Sequence, residues 1–356
     1  QLTPLQASLV LFSFYIAVTF TALPSAWLIR RVGYKNGMAL GMAVMMLAGL
    51  LYIPAAQTQT FGLFLLAQLV IGAGQTLLQT AVNPYVVKIG PEETAAVRIS
   101  IMGILNKTAG VVAPLVFTAL IVSGFTAPVG TALNAEQIDA MAASLVLPSL
   151  GLAVFLGLLA LAVKYSPLPE LEKESDTGTG IDQLKAVLAK PALVFGVLSL
   201  FVYVAVEVIA GDTIGLFALS LGVERYTVMT SYTMACMVLG YILGIVLIPR
   251  VLSQQKALAV SAVLGLALTL AIVLGDSSSY LIANTLLVPF GGTALPDTLL
   301  FIAILGLANA IVWPAVWPLA LSGLGALTSI GSALLIMGIA GGAFGPLFWG
   351  IASSTG

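Results

Sequence analysis

The sequence contains no histidine and a single cysteine, Cys236. A disulfide framework, a zinc cluster and a Ser-His or Cys-His catalytic pair are therefore excluded, and most enzyme chemistry goes with them. Charge is as scarce. Only 8% of the 356 residues carry it, against 60% apolar, whereas about a quarter of an ordinary soluble domain is charged. The formal net charge of -1 is too small to attract a polyanion, which sets nucleic acid aside as a partner. No Gly-rich phosphate loop of the Walker type occurs, so no ATP site is visible and gradient-driven chemistry is favoured. The chain opens at Gln1 and lacks a basic segment followed by a short apolar run and a cleavage site. It reads as a fragment of a longer protein.

What is present is apolar length, with a mean hydropathy of +1.12. Long apolar runs fall at 5–29, 37–56, 61–88, 97–123, 141–164, 191–213, 227–249, 256–275, 298–321 and 326–352. Each is close to the ~20 residues that cross a bilayer as a helix. They are too long for strands and lack period-2 alternation, and in lipid only helices then satisfy their own backbone. The expectation is an all-α polytopic membrane protein with ten visible spans.

Threading alternate loops to opposite sides places Arg30, Arg31, Lys35, Lys88, Arg98, Lys164, Lys173, Lys185, Lys190, Arg250 and Lys256 on one face, 11 of the 13 basic residues. Arg225 falls on the other face and Lys107 inside a span. The positive-inside rule makes the first face cytoplasmic. Residues 165–190 form a cytoplasmic linker, the one extended segment that is charged and low in hydropathy.

Across that linker the sequence repeats. Residues 71–90 lie over 305–324 at a shift of 234, matching Gly72 with Gly306 and Ala81-Val82-Asn83-Pro84 with Ala315-Val316-Trp317-Pro318. Ile101-Met102-Gly103-Ile104 recurs as Ile336-Met337-Gly338-Ile339 at a shift of 235, with Gly110 over Gly345. Matched helices cross in the same direction, so the repeat is parallel, as in two-lobed transporters. The lobes are expected at 1–164 and 191–356. Counting helices around the matched pair leaves one missing at each end, which implies 6 + 6 spans in the intact protein, with this chain supplying the second to the eleventh.

Candidate site residues stand out against this background. In the third span Gln68, Gln75, Gln79 and Asn83 fall within about 80° of helical arc. A carboxamide stripe is costly against lipid and faces protein or a water-filled cavity. Carboxamides donate and accept hydrogen bonds, which suits a neutral polyhydroxylated ligand, while interhelical polar packing is the bland alternative, strongest for Gln68. The repeat-mate helix carries Asn309, Trp313 and Trp317 at steps of four, with the two indoles over Gln79 and Asn83. Indoles opposite amides resemble a sugar site, where C-H faces stack on rings; core filling is the competing reading. Lys107 lies roughly 13 Å into the membrane, nine residues past Arg98, and Glu207, the other deeply placed ionisable residue, lies 16 residues past Pro191. Buried charge marks an ion pair, a coupling site or a ligand contact. The two either pair with each other, or Lys107 has its partner in the absent first helix. Asn106 is a further donor. Pro84, Pro114, Pro314, Pro318 and Pro346, with Gly341, Gly342 and Gly345, are hinge or close-packing candidates.

These segments carry a resemblance. ALPSAWLIRRVGYKNG (22–37), QTAVNPYVVKIGPEE (79–93) and the Arg-x-Ser-x-x-x-x-x-Asn run from Arg98 to Asn106 are similar to the fucose permease family of the major facilitator superfamily, which includes fucose-proton symporters and bacterial glucose/galactose transporters. The similarity covers essentially the whole chain. Arg31, Gly33 and Lys35 match the superfamily's cytoplasmic loop motif, while Ala26, Arg30 and Tyr34 depart from it. The resemblance implies a major facilitator fold with no cofactor, working by alternating access as a monomer, and a hexose-type sugar carried inward with a proton or sodium ion. A coupling glutamate of fucose permease corresponds to Gln79, which cannot titrate. A family Gln corresponds to Gly103, a family Asn to Asn106, and Lys107 stands where the permease has a small polar residue. A glucose-like or N-acetylated hexose is accordingly expected over fucose. The other readings are a carrier of a different small solute and a sugar sensor that binds without moving its ligand.

Overall fold

The computed structural model of the chain describes residues 4–117, 135–171, 180–223, 229–248, 250–291, 294–345 and 348. Lys173, Arg225, Pro346 and the ends of several expected spans lie outside them. Every regular element among the described residues is helical: α1 (Pro4–Val32), α2 (Tyr34–Gln57), α3 (Phe61–Lys88), α4 (Ala95–Phe117), α5 (Ala135–Tyr165), α6 (Gly180–Leu188), α7 (Pro191–Val208), α8 (Ile214–Ser220), α9 (Met229–Leu247), α10 (Gln254–Leu274), α11 (Leu281–Leu286), α12 (Asp297–Ala310), α13 (Val312–Leu321) and α14 (Thr328–Met337). Among the described residues, ten helical stretches are long and apolar enough to cross a membrane. They fall on the ten apolar runs, and the chain is a multi-pass membrane protein. Its helices are apolar nearly all round, as lipid requires.

The chain packs as two compact units. One comprises 1–89, 112–197 and 321–340; the other comprises 90–111, 198–320 and 341–356. The first therefore takes α14 from beyond the linker, and the second takes most of α4 from before it. These units cut across the division at 164 and 191 that the repeat suggests, because packing follows where helix faces meet and a repeat follows ancestry.

In the first unit α1, α2 and α3 enclose a core of Ile29, Tyr34, Met38, Met42, Leu77, Ala81 and Tyr85. Gly72 lets α3 approach α1 closely: a methyl there would stand 2.9 Å from the Ala17 Cβ and 3.0 Å from the Phe14 carbonyl oxygen. In the second unit the matched residue, Gly306, lets α12 approach α9, where a methyl would overlap the Thr233 carbonyl oxygen. Small residues at crossings are the usual way for membrane helices to gain contact without a hydrophobic driving force. The repeat in sequence is thus a repeat in packing.

Gly341 and Gly345, four residues apart, play a similar part under α7. A methyl at Gly341 would overlap the Phe201 carbonyl oxygen, and one at Gly345 would stand 2.8 Å from the Ala205 carbonyl oxygen. They act here as close-packing residues. The span containing α7 passes through a π-helical turn at Ile209–Thr213 before α8. Such a turn leaves carbonyls short of helical partners. Two threonines of α9 supply them: Thr230 donates to the Gly211 carbonyl at 2.7 Å and Thr233 to the Ala210 carbonyl at 3.3 Å.

Candidate functional site

The amide stripe lies in the first unit. Gln68 accepts a hydrogen bond from the Tyr52 hydroxyl of α2, so this member of the stripe is interhelical packing. Gln75 and Gln79 are half-buried and Asn83 is buried. The Gln79 carbonyl oxygen and the Asn83 amide nitrogen are enclosed without a hydrogen-bond partner among the described residues. Buried polar atoms are paired in the great majority of cases, and leaving one unpaired costs about 1–3 kcal/mol. A helix that keeps Gln79 and Asn83 at that cost holds groups suited to hydrogen-bonding a ligand.

In the second unit the charged and aromatic candidates come together. Lys107 of α4 forms an ion pair with Glu207 of α7. Their side chains are 17% and 14% exposed, so each has found the other inside the span. Asn106, beside Lys107, is exposed. One turn before Glu207 on α7, Tyr203 is buried, with the Glu207 carboxylate and the Tyr241 hydroxyl of α9 beside its own hydroxyl. Trp313 packs on Tyr203 with ring centroids 6.4 Å apart and planes at 47°, and Trp317 packs on Trp313 at 5.5 Å and 54°. An unbroken chain of contact runs from Trp317 through Trp313, Tyr203 and Glu207 to Lys107.

Burial divides the two indoles. Trp317 is wholly enclosed and its indole N–H has no partner among the described residues, whereas Trp313 is half-buried. Trp313 is the ring that offers a surface for stacking. Asn309 is buried, with its amide nitrogen also unpartnered.

Sequence reasoning missed Tyr203 and Tyr241. Tyr203 was within reach, since it stands at i–4 from a deep glutamate and carries the hydroxyl such a group needs. Tyr241 carries no local signal. Its position depends on how α9 packs against α4, where its ring lies over Gly103: a methyl at Gly103 would stand 2.7 Å from two ring carbons.

At the turn between α1 and α2, Gly33 has φ +86° and begins α2. The Glu170 carboxylate occupies the space where its side chain would be. Lys35 donates its backbone N–H to Glu170 at 3.4 Å and its ammonium to the Ser166 carbonyl at 2.7 Å, and the Tyr85 hydroxyl reaches the Pro169 carbonyl at 2.8 Å. Arg31 is exposed. Arg30 donates to Gln183 on α6, whose Gln183 and Val187 are buried one turn apart. Gly33, Lys35 and Arg30 therefore fasten the described parts of the linker to the first unit.

Ten apolar spans with polar groups inside them define the class as multi-pass membrane proteins. The Major Facilitator Superfamily profile matches residues 1–346, and the chain belongs to that family. A glucose/galactose transporter of Brucella abortus biovar 1 (strain 9-941) is 32% identical over 358 residues, covering 98% of this chain and 79% of its own length. The L-fucose-proton symporter of Escherichia coli (strain K12) is 28% identical, covering 96% of this chain and 77% of its own. Among solved structures, the superfamily transporter FucP in its outward conformation superposes with a TM-score of 0.83 at 25% identity, over 100% of this chain and 85% of its own. The chain is a transporter of this superfamily and not an enzyme.

Proposed function

We propose that the protein is a secondary active transporter that imports a hexose-type sugar, glucose/galactose or N-acetylglucosamine, together with a proton by alternating access in the bacterial inner membrane. The observation that carries this reading is the half-buried Trp313 beside the Tyr203, Glu207 and Lys107 network. It places a ring surface, hydroxyl chemistry and charge in one unit of an intramembrane protein. An indole face with nearby polar groups suits the mixed apolar and hydroxyl surface of a sugar ring. The relatives named as a glucose/galactose transporter and a fucose-proton symporter favour the same substrate class, and the second favours a proton over sodium.

In this reading Gln75, Gln79, Asn83, Asn106 and Asn309 bind sugar hydroxyls, Trp313 is the stacking ring, and Trp317 supports it from below. The lobes at 1–164 and 191–356 act as the repeated halves of the transporter, with the linker at 165–190 on the cytoplasmic side, and the protein works as a monomer without a cofactor.

Uptake of labelled glucose, galactose, fucose and N-acetylglucosamine by the protein in proteoliposomes, with an imposed proton or sodium gradient, tests the proposal. Accumulation of glucose, galactose or N-acetylglucosamine with the proton gradient is expected. Accumulation driven only by sodium overturns the proton assignment. Absence of uptake and of sugar binding by folded protein overturns the substrate class.

A further inference from the structure

This inference rests on the transport reading above and concerns the groups that carry the proton. Gln79, like the other amides of the proposed site, holds no titratable proton at physiological pH. A proton-driven protein with this residue needs another group. Glu207 is placed to be that group. It lies inside a span, it is largely enclosed, and the helix carrying it turns π-helical two residues later. The titratable groups against it are Lys107 from α4, Tyr203 from its own helix and Tyr241 from α9 at one remove. Trp313, which does not titrate, closes the side of Tyr203.

We propose that Glu207 carries the transported proton and that Lys107 is the gate that admits it only when sugar is bound. In the sugar-free state the ammonium of Lys107 holds Glu207 as a carboxylate. Sugar hydroxyls at Asn106 and Lys107 draw the ammonium away. An enclosed carboxylate without its cation is costly as an anion, so it takes one proton from water on the loading side and becomes a neutral acid. No covalent bond other than this O–H forms. On the other side the sugar leaves, the O–H breaks, the proton passes to water, and Lys107 pairs with the carboxylate again. One proton therefore crosses with each sugar, and the ion pair prevents protons from crossing alone.

The tyrosines make the exchange possible without stranding a polar group. A phenol hydroxyl donates to the carboxylate and accepts from the acid, so Tyr203 keeps a bond to Glu207 in either state. Tyr241 supplies the second partner of Tyr203. Gly103, which on the resemblance alone is a missing amide, is the seat of the Tyr241 ring. Any side chain at Gly103 would displace that ring and with it the orientation of Tyr203. Tyr241 is thus a positioning residue, acting through Tyr203.

The test uses the protein in proteoliposomes, with the sugar that the wild type takes up. A gradient of about one pH unit supports about tenfold accumulation at one proton per sugar. In Glu207→Gln, proton-driven accumulation is expected to fall to about onefold while labelled-for-unlabelled sugar counterflow, which needs no gradient, persists. Lys107→Gln is expected to admit protons in the absence of sugar, read with a pH dye inside the vesicles. In detergent, sugar is expected to draw about one proton per site from weakly buffered solution onto the wild type and none onto Glu207→Gln. If Glu207→Gln does not fold, Lys107→Gln/Glu207→Gln, which leaves no unpaired charge, takes its place; proton-driven accumulation and sugar-linked proton uptake are expected to be lost, while counterflow remains at raised sugar concentration because Lys107 also contacts the sugar. Wild-type accumulation in either variant overturns this inference and leaves the transport reading standing. A wild type that neither accumulates nor exchanges any sugar overturns both.

Discussion

Gly72 and Gly306, 234 residues apart, hold the same place in two separate helix crossings. Gly72 admits the Phe14 carbonyl of α1, and Gly306 admits the Thr233 carbonyl of α9. The second approach is tighter: a methyl carbon in place of the glycine hydrogen would overlap the Thr233 carbonyl oxygen, whereas it would stand 3.0 Å from the Phe14 carbonyl oxygen. Forcing extra methyl groups into a packed interior costs about 1–3 kcal/mol. Gly306→Ala is therefore expected to lower the thermal unfolding temperature in detergent more than Gly72→Ala, and both are expected to lower it. Equal stability of Gly306→Ala and wild type would remove close packing as the reason for the match.

The ten spans and the repeat were legible because lipid demands long apolar helices, and a duplicated crossing needs the same small residue twice. The pairing of Lys107 with Glu207 was open in the sequence for a simple reason: both are deep, but depth gives no azimuth. Other features depend on how helices from different parts of the chain meet. The packing of most of α4 with the helices after the linker, the seat of Tyr241 over Gly103, and the complete enclosure of Trp317 beside a half-exposed Trp313 have no local signal. The periodicity that aligns Trp313 with Trp317 at four residues makes the two look equivalent. Only the neighbours separate them.

The linker clamp has its own signature. At Gly33 a side chain would suffer twice, once from φ +86° and once from the Glu170 carboxylate. A backbone at φ +86° and ψ 165°, a region essentially reserved for glycine, costs a residue with a Cβ about 1–3 kcal/mol. Gly33→Ala is expected to lower stability by more than that in the wild type, and by less in a Glu170→Ala background, where the steric share is relieved. A double-mutant cycle on thermal unfolding reads the difference. Additive effects of the two substitutions would show that Glu170 does not occupy the Gly33 side-chain space in solution.

Asp297 at the start of α12 is buried, and its carboxylate accepts from the Ser279 hydroxyl at 2.5 Å and from the backbone N–H groups of Ile282 and Ala283 at 2.9 and 3.4 Å. It thereby satisfies donors at the start of α11 that the helix cannot satisfy itself. Hydrogen bonds to a charged group contribute about 1.5–3 kcal/mol, and a neutral one about 1. Asp297→Ala is expected to destabilise by about 2–4 kcal/mol and Ser279→Ala by about 1 kcal/mol in chemical unfolding. The order of the two is the check. Ser279→Ala costing as much as Asp297→Ala would mean that the backbone donors of α11 contribute nothing.

Trp313 and Trp317 give the sharpest separation of binding from packing. Trp317 is fully enclosed, and truncating a buried tryptophan costs about 3–5 kcal/mol. Trp317→Ala is expected to lower stability by that amount and to reduce the yield of folded protein. Trp313 exposes part of its ring and rests on Tyr203. Trp313→Ala is expected to weaken sugar binding at least about tenfold, a loss of roughly 1.4 kcal/mol, with a smaller effect on unfolding than Trp317→Ala. Trp313→Phe, which keeps an aromatic face, is expected to recover part of the affinity. Calorimetric titration of the sugar against each folded variant, with thermal unfolding measured on the same samples, distinguishes the two roles. If Trp313→Ala binds sugar as the wild type does, the ring is packing like its neighbour, and the ligand is held by the amides without an aromatic platform.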